Sequence, residues 1–239
     1  MKYNWNPFIE GLKELEIQLT DRQLEQFELY YDMLIEKNKV MNLTAITEFD
    51  EVIKKHFIDS LSIVMAVDPE DISRLIDVGT GAGFPGIPLK IAFPDIEITL
   101  MDSLSKRIRF LQEVIDQLGL KKIEAVHARA EDLAHDRKYR QKYDVCVSRA
   151  VANLSVLAEY CLPFVEEGGL FISYKGQDVT AECKKSERAI EKLGGIMADV
   201  VLFDLPDSDI SHSLVVIEKE YSTPKIYPRK AGTPEKKPL

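Results

Sequence analysis

The chain has 239 residues, 45% of them hydrophobic and 30% charged, with a formal net charge of −9. That length suits one catalytic domain with an extension, or two small domains, and supplies enough apolar residues for a sizeable core. No apolar run approaches the ~20 residues that span a bilayer, and the stretch from Met1 to Pro7 lacks the apolar character of a signal peptide. Three widely spaced cysteines (Cys146, Cys161, Cys183) with no Cys-x-x-Cys pair, and four scattered histidines, argue against a disulfide framework and against a metal site. A cytoplasmic, reducing setting is expected. Net acidity is unlike a nucleic-acid binder, but binding depends on a local patch rather than on the sum.

The first seventy residues read as helices and carry an acidic excess, 7 Lys/Arg against 14 Asp/Glu. Thr20 and Gln23 have the spacing of a capping box. Leu24, Phe27, Tyr31, Leu34 and Ile35 then recur at helical intervals and make one apolar face. A further helix is expected after Thr47, with Val52, Ile53, Phe57, Leu61 and Val64 inward. No chemistry is evident in this extension, residues 1–70.

From Ile72 short β-rich runs alternate with helical ones. Leu75–Val78, Ile96–Met101, Ile123–Val126, Tyr143–Ser148 and Leu170–Tyr174 read as strands. The helices between them are expected at about 105–118, stopped by Gly119, at 154–164 and at 179–193. The second of these leads to Gly168 and Gly169, which precede the fifth strand. Ala198–Leu205 and Ser213–Glu218 form a closing pair. The alternation implies right-handed βαβ units and a mostly parallel, twisted, Rossmann-like α/β sheet with helices on both faces, over residues 71–220. Ligands bind such sheets at the carboxyl ends of the strands. Residues 221–239 form a Pro-rich tail with Lys225, Arg229, Lys230, Lys236 and Lys237 against Glu235. From charge alone a solvated end and a binding arm are equally good readings.

The run Asp77-Val78-Gly79-Thr80-Gly81-Ala82-Gly83-Phe84-Pro85-Gly86 follows the first strand and opens a helix. Its glycines allow a sharp turn and close approach of a ligand to the backbone. Gly81-x-Gly83-x-x-Gly86 also fits the dinucleotide fingerprint, so a dehydrogenase stands beside a methyltransferase as a reading. Asp77, two positions before the first glycine, favours the methyl donor, because a carboxylate there would meet a methionine ammonium but would repel a pyrophosphate. Asp102 ends the next strand and can accept ribose hydroxyls with either cofactor. Ala130 and Glu131 follow the third strand, where an adenine edge or merely a helix N-terminus would be served. Arg149 ends the fourth strand, where an unpaired cation is expensive to bury. Lys175 is a second cation on that rim, after the fifth strand. A non-catalytic binding module and a small-molecule methyltransferase are the remaining alternatives.

Taken together these motifs resemble the bacterial ribosomal RNA small subunit methyltransferase G family, formerly called glucose-inhibited division protein B. The similarity covers Tyr30 through Asn42-Leu43-Thr44-Ala45-Ile46, His56-Phe57-Ile58-Asp59-Ser60-Leu61, and the Gly-rich turn with its Phe84-Pro85-Gly86-Ile87-Pro88-Leu89 continuation. It recurs at Arg129-Ala130-Glu131, Ser148-Arg149-Ala150, Tyr174-Lys175-Gly176 and Tyr227-Pro228-Arg229-Lys230-Ala231-Gly232-Thr233-Pro234, and extends to Lys237-Pro238-Leu239. The resemblance implies a class I S-adenosylmethionine-dependent enzyme that methylates N7 of one guanine in the decoding region of 16S ribosomal RNA, within a small-subunit particle or assembly intermediate. It implies donor contacts at Gly79, Phe84, Ala130, Glu131 and Arg149. The residues themselves add Asp77, Gly81, Gly83 and Asp102. Arg149 is expected to orient donor and acceptor, and Lys106, Arg107, Lys175, Arg229 and Lys230 to meet RNA phosphates. Guanine N7 carries no proton, so no general base is expected, in keeping with the absence of an evident His or Cys beside the strand ends. Neither a metal nor a membrane is expected to take part.

Overall fold

A computed structural model describes residues 2–205 and 211–239. The chain opens with α1 (Asn6–Glu14) and α2 (Asp21–Met41). Thr20 caps α2 as its spacing predicts: Thr20 Oγ1 accepts from the Gln23 amide, and Gln23 Oε1 accepts from the Thr20 amide. Gln23 Nε2 also donates to the carbonyls of Ile91 and Ala92, at 2.7 and 3.0 Å, so the cap fastens the extension to the core. A second helical run begins with α3 (Phe49–Val52), passes through a π-helical stretch, Ile53–Ile58, and ends in α4 (Asp59–Leu61). Val52, Ile53, Phe57 and Leu61 are buried as expected, while Val64 is half-buried.

The strands are β1 (Arg74–Val78), β2 (Glu97–Asp102), β3 (Ile123–His127), β4 (Tyr143–Ser148), β5 (Val165–Gly176), β6 (Gly195–Asp204) and β7 (Ser211–Lys219). They lie in the order β3-β2-β1-β4-β5-β7-β6. The first five are parallel, and β7 runs antiparallel to both of its neighbours. The intervening helices are α5 (Gly86–Ala92), α6 (Ser105–Leu118), α7 (Ala130–Leu133), α8 (Leu154–Cys161) and α9 (Thr180–Lys192). Gly119 ends α6 in the left-handed conformation, as read from the sequence.

Gly168 and Gly169, expected ahead of the fifth strand, are placed differently. Both lie inside β5, where the register with β4 slips between Tyr143↔Val165 and Val145↔Leu170. A Cβ on Gly169 would fall 2.5 Å from the Asp144 carbonyl oxygen, so glycine is needed there for close strand approach, while Gly168 takes a φ of +86°.

Alternate residues of the sheet feed two apolar layers. On one face Leu75, Leu100 and Val147 pack with α5, α6 and the N-terminal helices through Phe8, Phe27, Tyr30 and Phe57. On the other, Ile76, Met101 and Cys146 pack with α7, α8 and α9. The tail is ordered against this second face, with Thr223, Pro228 and Pro234 buried and a short α10 (Thr233–Lys236).

Candidate active site at the carboxyl ends of the strands

The Gly-rich turn leaves β1 and is held from behind. Asp77 is fully buried, and its Oδ2 accepts from Thr80 Oγ1 at 2.6 Å and from the Gly86 amide at 2.9 Å. Burial pushes its carboxyl up to about 7 against these hydrogen bonds and the charge of Arg149. Its Oδ1 is buried with no partner. Gly79, Gly81 and Gly83 have φ of 77°, 64° and 112°, which L side chains rarely adopt. At Gly83 a Cβ would also lie 2.7 Å from Ile87 Cγ1 and 2.8 Å from the Tyr30 hydroxyl. Asp102, at the end of β2, faces the turn: Oδ2 accepts from the Gly81 amide and from Arg107, both at 3.0 Å, and Oδ1 accepts from the Leu104 amide.

Beside the turn, across Ala150, lies a cleft of about 770 Å³ lined by Lys55, His56, Asp59, Arg149, Lys175 and His212 among others. Ala150 lines the cleft, and its Cβ lies 3.6 Å from where a Cβ on Gly79 would stand, so the cleft and the turn meet at this small residue. Arg149 is immobilised. Nη1 donates to Asp59 Oδ2 at 2.8 Å and to the Lys55 carbonyl at 3.0 Å, and its guanidinium lies 5.0 Å from the centre of the Phe84 ring. Its Nη2 lies 3.1 Å from His56 Nδ1. The same Nδ1 also lies 3.0 Å from the Lys55 carbonyl, and Nε2 lies 2.8 Å from Thr44 Oγ1. Burial and then the Arg149 charge push His56 down to about 4, so the ring is neutral. Asp59 Oδ1 receives His212 Nδ1 at 2.6 Å. Burial would raise the Asp59 carboxyl, but the hydrogen bonds and charges of His212 and Arg149 hold it below its ordinary value.

Several expected residues stand elsewhere than the sequence suggested. Phe84 turns its ring into the extension, 4.5 Å from His56 and 5.5 Å from Tyr30, so only its backbone is left for a donor. Glu131 Oε1 accepts from the Gly232 amide of the tail at 2.9 Å, while Ala130 is buried at the start of α7. Arg107 is paired with Asp102. Lys175 braces the segment after β4, donating to the Ala152 carbonyl at 2.6 Å and to Glu182 at 2.8 Å. Arg229 is bound to Glu159, whose side chain is fully buried. These three cations therefore answer protein carboxylates, whereas Lys106 and Lys230 are exposed.

The extension, read as chemically silent, supplies His56 and Asp59 to the cleft, and His212 joins them. An antiparallel β7 begins where the parallel strands end, which brings His212 to the rim from 153 residues away. The His56-x-x-Asp59 spacing puts both side chains on one helical face and was the available signal.

The family model for rRNA small subunit methyltransferase G matches residues 23–210. The chain belongs to this family. It is 56% identical over 232 residues to the ribosomal RNA small subunit methyltransferase G of Lachnoclostridium phytofermentans, covering 97% of this chain and 96% of that one. The protein of the same name from Acetivibrio thermocellus is 53% identical over 231 residues, covering 97% and 95%. Among solved structures, the fold is similar to StiE O-MT residues 961–1257 (TM-score 0.53, 17% identity, 68% of this chain and 73% of that one). It is also similar to P. horikoshii TYW2 in complex with MeSAdo (TM-score 0.52, 11% identity, 68% and 61%). Membership makes the chain a methyltransferase of the Rossmann-like class I fold whose donor is S-adenosylmethionine. The turn fits that donor. An unpartnered buried carboxylate oxygen on Asp77 lies behind backbone that only glycine readily supplies, and a second acid closes the far side.

Among the described residues no group of three or more His, Cys, Asp or Glu could hold a metal, and no helix is long and apolar enough to cross a membrane.

Proposed function

We propose that the chain transfers a methyl group from S-adenosylmethionine to N7 of one guanine in the decoding region of 16S ribosomal RNA, presented within a small-subunit particle or assembly intermediate. The observation that carries this reading is the juxtaposition of the Gly-rich turn with the Arg149 cleft, which meet at Ala150. The family relatives are named for the small-subunit RNA.

When bound, S-adenosylmethionine supplies a sulfonium methyl open to attack by a lone pair. Asp77 and the 79–86 turn hold its methionine end, Asp102 its ribose, and the Ala130–Glu131 backbone its adenine side. Arg149, fixed by Asp59, His56 and Phe84, orients the incoming guanosine. Guanine N7 has a lone pair and no proton, so the residues act by alignment and modest electrostatics rather than by proton removal. His212, tied to Asp59, would suit an acceptor with a proton to lose, such as a hydroxyl or exocyclic amine. Lys106 and Lys230 meet RNA phosphates. The acidity of the chain as a whole disfavours arbitrary RNA, which supports a structured particle as acceptor.

The test is methyl transfer from labelled donor to naked ribosomal RNA and to small subunits from cells lacking this protein, with mapping of the modified base. Label at one guanine N7 is expected. Label on a hydroxyl or an exocyclic amine would overturn the acceptor assignment and promote the His212–Asp59 pair to a general base.

A further inference from the structure

Two buried or nearly buried carboxylates on the donor side of the sheet have their partners in one short piece of the tail. Glu159, on α8, is fully buried, and Arg229 grips it through four contacts: its amide to Oε1 at 2.8 Å, Nε to Oε1 at 2.9 Å and to Oε2 at 3.2 Å, and Nη2 to Oε2 at 2.6 Å. Glu131, on α7 and only 6% exposed, receives the Gly232 amide at 2.9 Å. Residues 223–228 are fixed just upstream. Arg140 donates to the carbonyls of Thr223 and Tyr227, and the His135 ring meets the Pro228 carbonyl at 2.9 Å. The tail therefore staples α7 to α8, and α7 begins where β3 delivers the chain to the rim.

We propose that Arg229–Gly232 is a positioning element of the donor pocket rather than an RNA arm: it sets the Ala130–Glu131 backbone against the adenine side of S-adenosylmethionine. The inference rests on the placement of that backbone in the proposed function. The chemistry favours it over phosphate binding. A bidentate guanidinium–carboxylate pair around a fully buried Glu159 is strongly favoured once formed, and opening it to free Arg229 for a phosphate would leave a buried charge without a partner. The exposed lysines of the same tail, Lys225, Lys230, Lys236 and Lys237, carry no such commitment to Glu159 or Glu131 and remain at the surface. Coupling between tail and donor must also be reciprocal, so a tail that improves donor binding is itself held more tightly when the donor is bound.

The experiment compares wild type, Arg229→Ala and Arg229→Lys by calorimetric titration with S-adenosylmethionine and S-adenosylhomocysteine, and by initial rates with donor and RNA varied in turn. Amide hydrogen exchange of wild-type residues 229–233 is measured with and without S-adenosylhomocysteine. Arg229→Ala is expected to raise the donor Kd and donor KM about tenfold, a typical coupling, while kcat at saturating donor, the RNA KM and its salt dependence stay unchanged. Arg229→Lys recovers part of the loss, and the wild-type tail amides exchange more slowly with ligand bound. A donor Kd unchanged in Arg229→Ala, or a raised RNA KM with a shallower salt dependence, overturns the proposal. If Arg229→Ala does not fold, the exchange measurement decides, and equal exchange with and without bound ligand overturns it. Wild type that binds neither ligand removes the methyl-donor reading itself, a failure visible before any variant is made.

Discussion

The carboxylate of Asp59 and the guanidinium of Arg149 meet at 2.8 Å across ninety positions of sequence, joining the N-terminal helices to the end of β4. Asp59 is 1% exposed and Arg149 has a side-chain exposure of 19%. Breaking such a pair from one side leaves an uncompensated charge. Asp59→Ala is expected to lower the stability by about 3 kcal/mol in urea unfolding, at the lower end for buried pairs because Arg149 keeps some contact with water. Methyl transfer should fall further than donor affinity, since Asp77 and Asp102 are untouched.

His212 distinguishes acceptor chemistries. For attack by N7, His212→Gln should reduce kcat only modestly and leave the shape of its pH profile unchanged. For an acceptor that must lose a proton, the same variant should lose two or more orders of magnitude, about the size of a general-base contribution, together with the acidic limb of the profile.

Acid stability carries two opposed contributions. His56 falls from 6.5 to about 4 on folding, so between those values the unfolded chain holds the extra proton and stability drops as pH falls. Asp77 rises from 3.8 to about 7, so over that range the folded chain holds the extra proton and stability grows as pH falls. The two largely cancel from pH 6.5 to 4. In Asp77→Asn the second is gone, and urea midpoints should decline more steeply on acidification over that window, with a limiting difference of about 1.4 kcal/mol per pH unit. The same variant puts an amide NH₂ where Oδ1 stands unpartnered, so its donor affinity at pH 7 should also fall.

Gly86 and Gly119 are both glycines that a helix meets at one end, yet they should respond differently to alanine. A Cβ at Gly86 would lie 2.2 Å from Leu100 Cδ2 and 2.9 Å from Asp77 Oδ2, whereas at Gly119 nothing lies within 4 Å and only φ of +64° resists. Gly86→Ala should cost about 2–3 kcal/mol through overpacking and weaken donor binding. Gly119→Ala should cost about 1 kcal/mol and leave the donor alone.

Lys106→Ala and Lys230→Ala should each weaken binding to the RNA substrate and lower the slope of log affinity against log salt by about 1, with donor affinity unchanged.

Local signals were readable where the physics is local. The Thr20–Gln23 cap, the α6 stop at Gly119 and the span of β4 all follow from neighbouring residues. The glycine turn and the acids around it were visible for the same reason. What stayed hidden depends on pairings far apart in the chain. Asp59 finds Arg149 and His212 only once the extension has packed on the sheet and β7 has turned antiparallel, and Arg229 finds Glu159 across seventy positions. Charge alone made Arg107, Lys175 and Arg229 look like phosphate ligands, because a sequence does not show which carboxylate lies opposite a cation. Gly168 and Gly169 stand before the fifth strand in the sequence reading, and only the neighbouring strand shows that Gly169 relieves a close approach, while Gly168 takes a φ of +86°.

The staple formed by Arg229 and Gly232 also fixes an order of events. Glu159 waits seventy residues of synthesis for Arg229, and Glu131 about a hundred for the Gly232 amide. A nascent chain can assemble the glycine turn and the Arg149 cleft while still being translated, since every residue in them lies upstream of the tail. The wall beside α7 and α8 closes only once the chain has been made as far as Gly232. On the proposal that this staple positions the donor pocket, a chain not yet made as far as Gly232 binds S-adenosylmethionine weakly.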